Sequence, residues 1–369
     1  MSLLSGVYGR AARFRRAWYG RHPSLTRQLR QPVISVGNLV VGGSGKTPVV
    51  AALARLLVSA GERPAILTRG YGRVRAADGV VVVSDGREVL VPTPQSGDEP
   101  QMLARALPGV PVLVSPDRYL AGCLAERTFG CSVHLLDDGF QHVQLARDVN
   151  LLVMSNVDLD ERLLPSGRLR EPLEAAAAAD ALLVSGTEAD AEALAGRLGI
   201  KTMFQISARY DPLRRLDPPG ALLSADSGRR VVAVAGIARP ERFFAALRAE
   251  GWDVARAIAF RDHHWFSERD LVVIERAAAD TKADLVVTTE KDAMRLLPDV
   301  GRAFTARREP TGAVPWACLP LQVGIEPPLS FAAWITDRLH AAREGPRQRI
   351  VQPALAGLVT RPDEGGEAA

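Results

Sequence analysis

The stretch Val33-Ile34-Ser35-Val36-Gly37-Asn38-Leu39-Val40-Val41-Gly42-Gly43-Ser44-Gly45-Lys46-Thr47-Pro48-Val49-Val50 decides the fold. The apolar run Val33 to Val36 predicts a strand, the glycines a tight loop, and Val49 to Val58 a helix. In that order these are the parts of a cradle for a nucleoside triphosphate. Backbone N–H groups and a helix N-terminus meet phosphate oxygens, Lys46 reaches the β/γ-phosphates, and Thr47 offers a hydroxyl to Mg²⁺. Val40, Val41, Gly42, Gly43, Ser44, Gly45, Lys46 and Thr47 are therefore the candidate nucleotide site, for ATP or GTP with Mg²⁺. Val40 stands where the usual pattern has its first glycine, so a plain strand-to-helix turn is the alternative for the glycines taken alone. Pro48 fits the first helical turn, where a missing N–H costs nothing.

At 369 residues the chain is long enough for two domains. No stretch approaches the roughly 20 apolar residues that span a bilayer. Cys123, Cys131 and Cys318 have no metal-ligand spacing and read as reduced, buried thiols, as in the cytosol. The net charge of +4 is unevenly spread: residues 1–61 hold nine Arg and Lys and no acid, and the remainder is acidic overall. That basic head points to an anionic surface, lipid or nucleic acid. On a helical wheel Leu3, Leu4, Val7, Tyr8, Ala11, Phe14 and Trp18 share one face, with Arg10, Arg13, Arg16 and Arg21 at its borders or opposite. Residues 1–30 thus read as a basic amphipathic helix in a membrane interface, with packing on the protein's own body as the alternative. As a dock, residues 1–21 are expected to be dispensable for any chemistry.

Downstream, Ala65 to Thr68, Pro111 to Val114, Val133 to Leu136, Val149 to Met154 and Ala181 to Ser185 alternate with helical patterns. This predicts an α/β fold with a parallel sheet flanked by helices, of the phosphate-loop type, over residues 31–205. Val80 to Val83 and Glu88 to Val91 read as a β-hairpin inserted at about residues 78–93. Residues 206–230, with Asp217-Pro218-Pro219-Gly220, read as a linker. A second, smaller α/β unit is expected over 231–340, with Val231 to Ala235, Val254 to Phe260 and Leu285 to Thr289 as strands. A disordered tail is expected over 341–369.

Several segments carry candidate chemistry. Asp137-Asp138 ends the apolar strand Val133 to Leu136, where acids of phosphate-loop enzymes organise Mg²⁺; either carboxylate alternatively caps a helix or starts a turn. Asp98 and Glu99 precede a helical pattern, as a base and a metal ligand or as ordinary N-terminal acids. Thr68-Arg69-Gly70-Tyr71-Gly72, Val114-Ser115-Pro116-Asp117-Arg118 and Arg168-Leu169-Arg170-Glu171 bring cations and an aromatic ring to strand ends. Phe260-Arg261-Asp262-His263-His264 sets a histidine beside an acid, an arrangement suited to proton transfer.

Taken in order, Val36-Gly37-Asn38-Leu39, the Gly42 to Pro48 loop, Arg69-Gly70-Tyr71-Gly72, Gly97-Asp98-Glu99-Pro100, Val114-Ser115-Pro116, Asp137-Asp138-Gly139-Phe140-Gln141-His142, Leu145-Ala146-Arg147-Asp148, Asp262-His263-His264 and Thr289-Glu290-Lys291-Asp292 resemble the tetraacyldisaccharide 4′-kinase family of lipid A biosynthesis. The resemblance covers about residues 30 to 300. It implies an enzyme that transfers the γ-phosphate of ATP to the 4′-hydroxyl of a tetraacylated disaccharide 1-phosphate on the cytoplasmic side of the inner membrane. Its implied partners are the lipid A disaccharide precursor and the inner leaflet, with no nucleic acid and no obligate protein. Carried over residue by residue, Lys46, Asp98, His263 and Asp138 are catalytic, with Asp98 as base and His263 its partner. Thr47, Asp138, Glu99 and Gln141 lie near the metal, and Tyr71, Arg118, Arg170 and Glu171 meet substrate. The rivals are a phosphate-loop GTPase or metallochaperone, whose guanine-reading element Thr289-Glu290-Lys291-Asp292 superficially imitates, and a nucleotide-gated membrane adaptor.

Overall fold

Most of the apolar runs emerge as buried strands, because they are covered on both faces and need no polar alternation, while Val254 to Ala259 forms an edge strand that is only partly buried. The computed structural model describes residues 3–43, 45–74, 79–216, 219–223, 229–296, 314–345 and 359–360. It divides into two compact units, Met1–Ala208 with Val323–Ala369, and Arg209–Gln322.

The first unit opens with helix α1 (Leu3–Arg21), followed by β1 (Val33–Gly37), α2 (Lys46–Ser59), β2 (Pro64–Thr68) and β3 (Val80–Ser84). Next come α3 (Thr93–Ser96), α4 (Asp98–Ala106), β4 (Val112–Val114), α5 (Arg118–Phe129), β5 (Val133–Asp137) and β6 (Val149–Met154). β7 (Ala181–Ser185), α6 (Glu188–Leu198) and β8 (Met203–Tyr210) lead to the second unit, and β15 (Leu321–Glu326), a helix over Pro328–Glu344 and β16 (Val359–Thr360) follow it. The ten-stranded sheet runs β15-β8-β7-β6-β1-β5-β2-β4-β3-β16. From β8 to β4 all neighbours are parallel, and β3 pairs antiparallel with β4.

Alternation along each strand divides the core between the faces. Ile34, Val36, Ile66 and Leu135 pack with Val49, Leu53 and Leu57 of α2 and with Phe331 and Ile335 of the last helix. Val33, Leu67 and Leu136 meet Ala121, Leu124 and Ala125 of α5. Leu152, Met154, Leu182 and Val184 meet Leu194 of α6.

The second unit carries β9 (Arg214–Leu216), β10 (Pro219–Leu222), β11 (Arg230–Ala235), α7 (Pro240–Ala249), β12 (Asp253–Ala259), α8 (Glu268–Thr281), β13 (Leu285–Thr289) and β14 (Trp316–Leu319). Its sheet runs β10-β9-β14-β13-β11-β12, with β12, β11, β13 and β14 parallel.

Four sequence expectations change. The expected hairpin keeps only its first strand, a Ser84–Val89 bridge and a bond from Leu90 N–H to the Val83 carbonyl (2.8 Å). The reason is that β3 lies between β4 and β16, which takes Val80 and Val81, so residues 88–91 reach only its Val83–Ser84 end. Residues 206–230 contain β9 and β10, which pair with each other and join the second sheet through β14, so this segment is not a bare linker; Asp217 and Pro218 lie outside the described residues. Residues 323–340 belong with the first unit, because Phe331 and Ile335 bury against its core. Of the expected tail, residues 341–344 extend the last helix, Gly345 caps it and 359–360 pair with β3; the rest lies outside the described residues.

One contact fixes the strand ends. A Cβ on Gly37 would sit 2.5 Å from Phe140 Cβ and 2.7 Å from Phe140 N, so only glycine lets the turn after β5 close on β1. Gly37→Ala should cost about 1–3 kcal/mol, read as a lower urea midpoint at unchanged slope.

Candidate active site

The parallel register sets Val36 beside Asp137. Gly37-Asn38 and Asp137-Asp138 therefore leave the sheet together at its carboxyl edge, where α/β proteins bind ligands. Gly42 and Gly45 adopt φ of 96° and 76°, left-handed values that turn the chain into α2. α2 begins at Lys46 and Thr47, while Ser44 lies outside the described residues. Val40 is buried and Val41 exposed. Residues 168–170 brace this loop: the Val41 N–H donates to the Arg168 carbonyl (2.8 Å), the Arg168 guanidinium donates back to the Val41 carbonyl (2.7 Å), and the Arg170 N–H donates to the Leu39 carbonyl (2.7 Å).

The two aspartates diverge at once. Asp137 ends β5 fully inside, and its Oδ2 accepts from Thr47 Oγ1 (3.3 Å). Its Oδ1 is buried and has no hydrogen-bond partner among the described residues. Burial, then the negative fields of Glu99 and Asp138, push the Asp137 carboxyl well above the usual carboxylate range. Asp138 turns the other way in the left-handed region (φ 55°). Its carboxylate takes two bonds from Arg170 (both 2.7 Å) and an ion pair from Lys46 (3.3 Å). Burial opposes its charge, yet Lys46 and Arg170 hold Asp138 far below the usual range. Asn38 completes the cluster, its Oδ1 accepting from Lys46 Nζ (2.9 Å) and from Arg170.

Gln141 donates to the Asn38 carbonyl (2.8 Å) and to Glu171 Oε2 (3.2 Å), while its own Oε1 is buried without a partner among the described residues. Glu171 is buried and receives Arg16 of α1 through Nε (3.1 Å) and Nη2 (2.7 Å). These placements refine the expected roles. Asp137, set against Thr47 and Glu99 with an open buried oxygen, fits a divalent cation better than Asp138, whose oxygens already hold two cations. Among the described residues no three His, Cys, Asp or Glu side chains form a closed metal cage.

Asp98 is the first residue of α4 and is buried, its Oδ1 accepting from the Glu99 N–H (2.9 Å). A Cβ on Gly97 would lie 2.7 Å from the Tyr71 carbonyl, so the Arg69–Gly72 loop lies against the start of α4, with the Tyr71 side chain exposed. Arg118, at the start of α5, is buried and donates to the Pro116 carbonyl (3.1 Å). Burial, then Arg69, pull it down to about 10, while Asp138 and Asp137 support its charge.

In the second unit His263 sits in a left-handed turn (φ 58°) with its Nε2 3.2 Å from Lys291 Nζ, and Lys291 pairs with Asp262 (3.5 Å). Asp292 is wholly buried and taken up by Arg295 (2.6 Å), Thr289 Oγ1 (2.6 Å) and the Gly236 N–H (2.9 Å). It stitches the unit together, which agrees with Thr289-Glu290-Lys291-Asp292 being only a superficial imitation of a guanine-reading element. Asp98 and His263 belong to different units. Sequence reasoning passed over Asn38, Lys291 and the partner of Glu171, and weighed Asp137 only as half of a pair.

The raised Asp137 carboxyl has a stability consequence. Its folded pKa exceeds its unfolded one, so its contribution is most favourable at low pH and is lost as pH rises through the folded value. Asp137→Asn should therefore melt above the parent at about pH 8, with the gap closing toward about pH 5. Mg²⁺ should raise the parent's melting temperature at the higher pH more than the variant's. Identical pH profiles for the two proteins would contradict the assignment.

The chain is similar to known proteins along most of its length. The sequence profile of the family described as Tetraacyldisaccharide-1-P 4′-kinase matches residues 1–340. A tetraacyldisaccharide 4′-kinase of Geobacter metallireducens is 42% identical over 308 residues, covering 82% of this chain and 89% of that protein. One from Bradyrhizobium diazoefficiens is 39% identical over 344 residues, 92% of each. The crystal structure of the "apo" form of LpxK from Aquifex aeolicus in complex with ATP superposes with a TM-score of 0.72 at 32% identity, over 91% of this chain and 97% of that one. With a profile match across most of its length and such relatives, the chain belongs to the tetraacyldisaccharide-1-P 4′-kinase family.

Proposed function

We propose that this chain transfers the γ-phosphate of ATP to the 4′-hydroxyl of tetraacyldisaccharide 1-phosphate, with Mg²⁺, at the cytoplasmic face of the inner membrane. The observation that carries the reading is the meeting of Lys46 and Thr47, at the start of α2, with Asp138 and Asp137, at the end of β5. Phosphoryl transfer asks mostly for positioning and neutralisation of charge. Lys46 would meet the β/γ-phosphates, with the left-handed glycine turns at 42 and 45 shaping the loop around them. Thr47 and Asp137 would hold Mg²⁺, with the charge of Glu99 reaching Asp137, and the ion would supply neutralisation of the phosphate charge. Asp138 keeps Lys46 and Arg170 at fixed positions. Arg118 adds positive charge at the same edge, and Tyr71 offers an exposed ring to the sugar. Asp98 and His263 are the proton-transfer groups for the acceptor hydroxyl. A general base of this kind contributes about 10²–10⁴-fold.

No described helix is long and apolar enough to cross a membrane. The outward face of α1 is nonetheless apolar, with Leu3, Leu4, Val7, Phe14 and Trp18 exposed, while Ser5 and Gly9 bury against the body of the unit. The acyl chains of the acceptor stay in the bilayer, so a cleft that reaches its hydroxyl works at the interface. The apolar stripe and its arginines suit that place.

The test is direct: purified protein, labelled ATP, Mg²⁺ and the disaccharide 1-phosphate in detergent should give a 4′-phosphorylated lipid. Lys46→Ala should remove nearly all turnover while the protein stays folded, about 10³-fold or more. Wild-type-like turnover by that variant would place the phosphate site elsewhere. A second measurement addresses the membrane: Phe14→Ser/Trp18→Ser protein should float with anionic vesicles markedly less than the parent, and unchanged flotation would move the contact off α1.

A further inference from the structure

The helix that presents its apolar face outward presents an equally specific polar face inward. Ser5 Oγ donates to the Leu163 carbonyl (3.1 Å), Tyr8 Oη to the Arg170 carbonyl (3.0 Å), and Arg15 Nη1 to the Gln141 carbonyl (3.0 Å). Gly9 lets the helix approach closely, since a Cβ there would stand 2.7 Å from Leu163 Cδ1. Arg16 goes deepest. Its guanidinium lies 4.7 Å from the centroid of the Phe140 ring, donates to the Phe140 carbonyl (3.1 Å) and makes a two-pronged contact with Glu171.

Glu171 in turn receives Gln141, Gln141 donates to the Asn38 carbonyl, and the Asn38 side chain receives both Lys46 and Arg170. A continuous chain of polar contacts thus runs from α1 to the phosphate-binding lysine. We propose that Arg16 is a positioning residue for phosphoryl transfer. By neutralising buried Glu171 and holding the Phe140 carbonyl, it fixes the turn after β5 and the Arg170 segment, so one helix both faces the bilayer and completes the catalytic cleft. The inference rests on the kinase reading above, and it departs from the expectation that residues 1–21 are dispensable for the chemistry.

The physical reason is asymmetry of cost. With Arg16 removed, Glu171 remains buried with one direct amide donor and only the more distant charges of Arg147 and Arg170, and a buried carboxylate that has lost its two-pronged partner forces its surroundings to rearrange. The groups free to shift are those bonded to it, Gln141 and through it Asn38. Arg13 of the same helix provides a contrast, because its pair with Glu174 (3.5 Å) is exposed on both sides. Such a pair contributes little.

The experiment compares Arg16→Ala, Arg16→Lys, Arg13→Ala and Phe14→Ser/Trp18→Ser on acceptor dispersed in detergent and acceptor embedded in vesicles, with flotation and melting measured alongside. Arg16→Ala should lower kcat about tenfold or more on both acceptors, with vesicle binding and the KM for ATP little changed. Arg16→Lys should recover part of that loss, since a point charge cannot reproduce the two-pronged contact. Arg13→Ala should keep the parent's kcat in detergent, and Phe14→Ser/Trp18→Ser should lose flotation yet keep detergent kcat within about twofold. Arg16→Ala combined with Glu171→Gln should be clearly less than additive. A folded Arg16→Ala or Arg16→Lys enzyme with parental kcat in detergent would overturn the proposal, as would strict additivity with Glu171→Gln. If Arg16→Ala does not fold, the kcat of Arg16→Lys decides the matter. Failure of the parent itself to phosphorylate the acceptor would instead reject the kinase reading.

Discussion

The parallel pairing of β1 with β5 is the constraint on which the site depends. It sets Val36 opposite Asp137, and the absent side chain of Gly37 lets Phe140 close over the end of β1. From that one junction the phosphate loop leaves in one direction and the acidic turn in the other. Thr47 then reaches Asp137 and Lys46 reaches Asp138 without any long side chain spanning the sheet. Both strands lie inside a sheet covered on its faces, so the junction inherits the rigidity of a packed core.

The acidic dipeptide shows how neighbouring residues acquire different work. Alternation along β5 directs Asp137 beneath α2, where water is excluded and the charged form is disfavoured. The left-handed backbone at Asp138 swings the next carboxylate toward Lys46 and Arg170, where the charged form is strongly favoured. A non-glycine residue held at positive φ costs free energy, and such strain is retained where the surrounding contacts over-determine it. Here two arginine bonds and a lysine do so.

Much of this was legible in the chain. The glycine loop with Lys46-Thr47 is a local motif whose chemistry needs only neighbours in sequence, and the long apolar runs could become little other than buried strands. What the sequence left open depends on distant partners. Glu88 to Val91 has the composition of a strand, but β4 and β16 flank most of β3 and leave it only the contacts at Val83 and Ser84. The helix over Pro328–Glu344 follows the second unit in sequence yet buries Phe331 in the core of the first. Choosing between Asp137 and Asp138 required backbone angles that no spacing encodes. Arg16 looked like one of several surface arginines on an amphipathic helix, and its buried partner stands 155 residues away.

Charge balance explains why these residues need one another. Asp137, Asp138, Glu99 and Glu171 gather at one sheet edge with Lys46, Arg170, Arg118 and Arg16, so the cluster is near neutrality before any phosphate arrives. Packing that many ionised groups together is tolerable only when each is paired, because the desolvation of a lone buried charge exceeds what a distant partner returns. Asp137 stands apart among the carboxylates, since its Oδ1 is the one carboxylate oxygen among the described residues that is buried without a hydrogen-bond partner. A divalent cation there would satisfy that oxygen and supply the positive charge that a triphosphate requires, so the open position among the carboxylates coincides with the place where the proposed chemistry needs a metal.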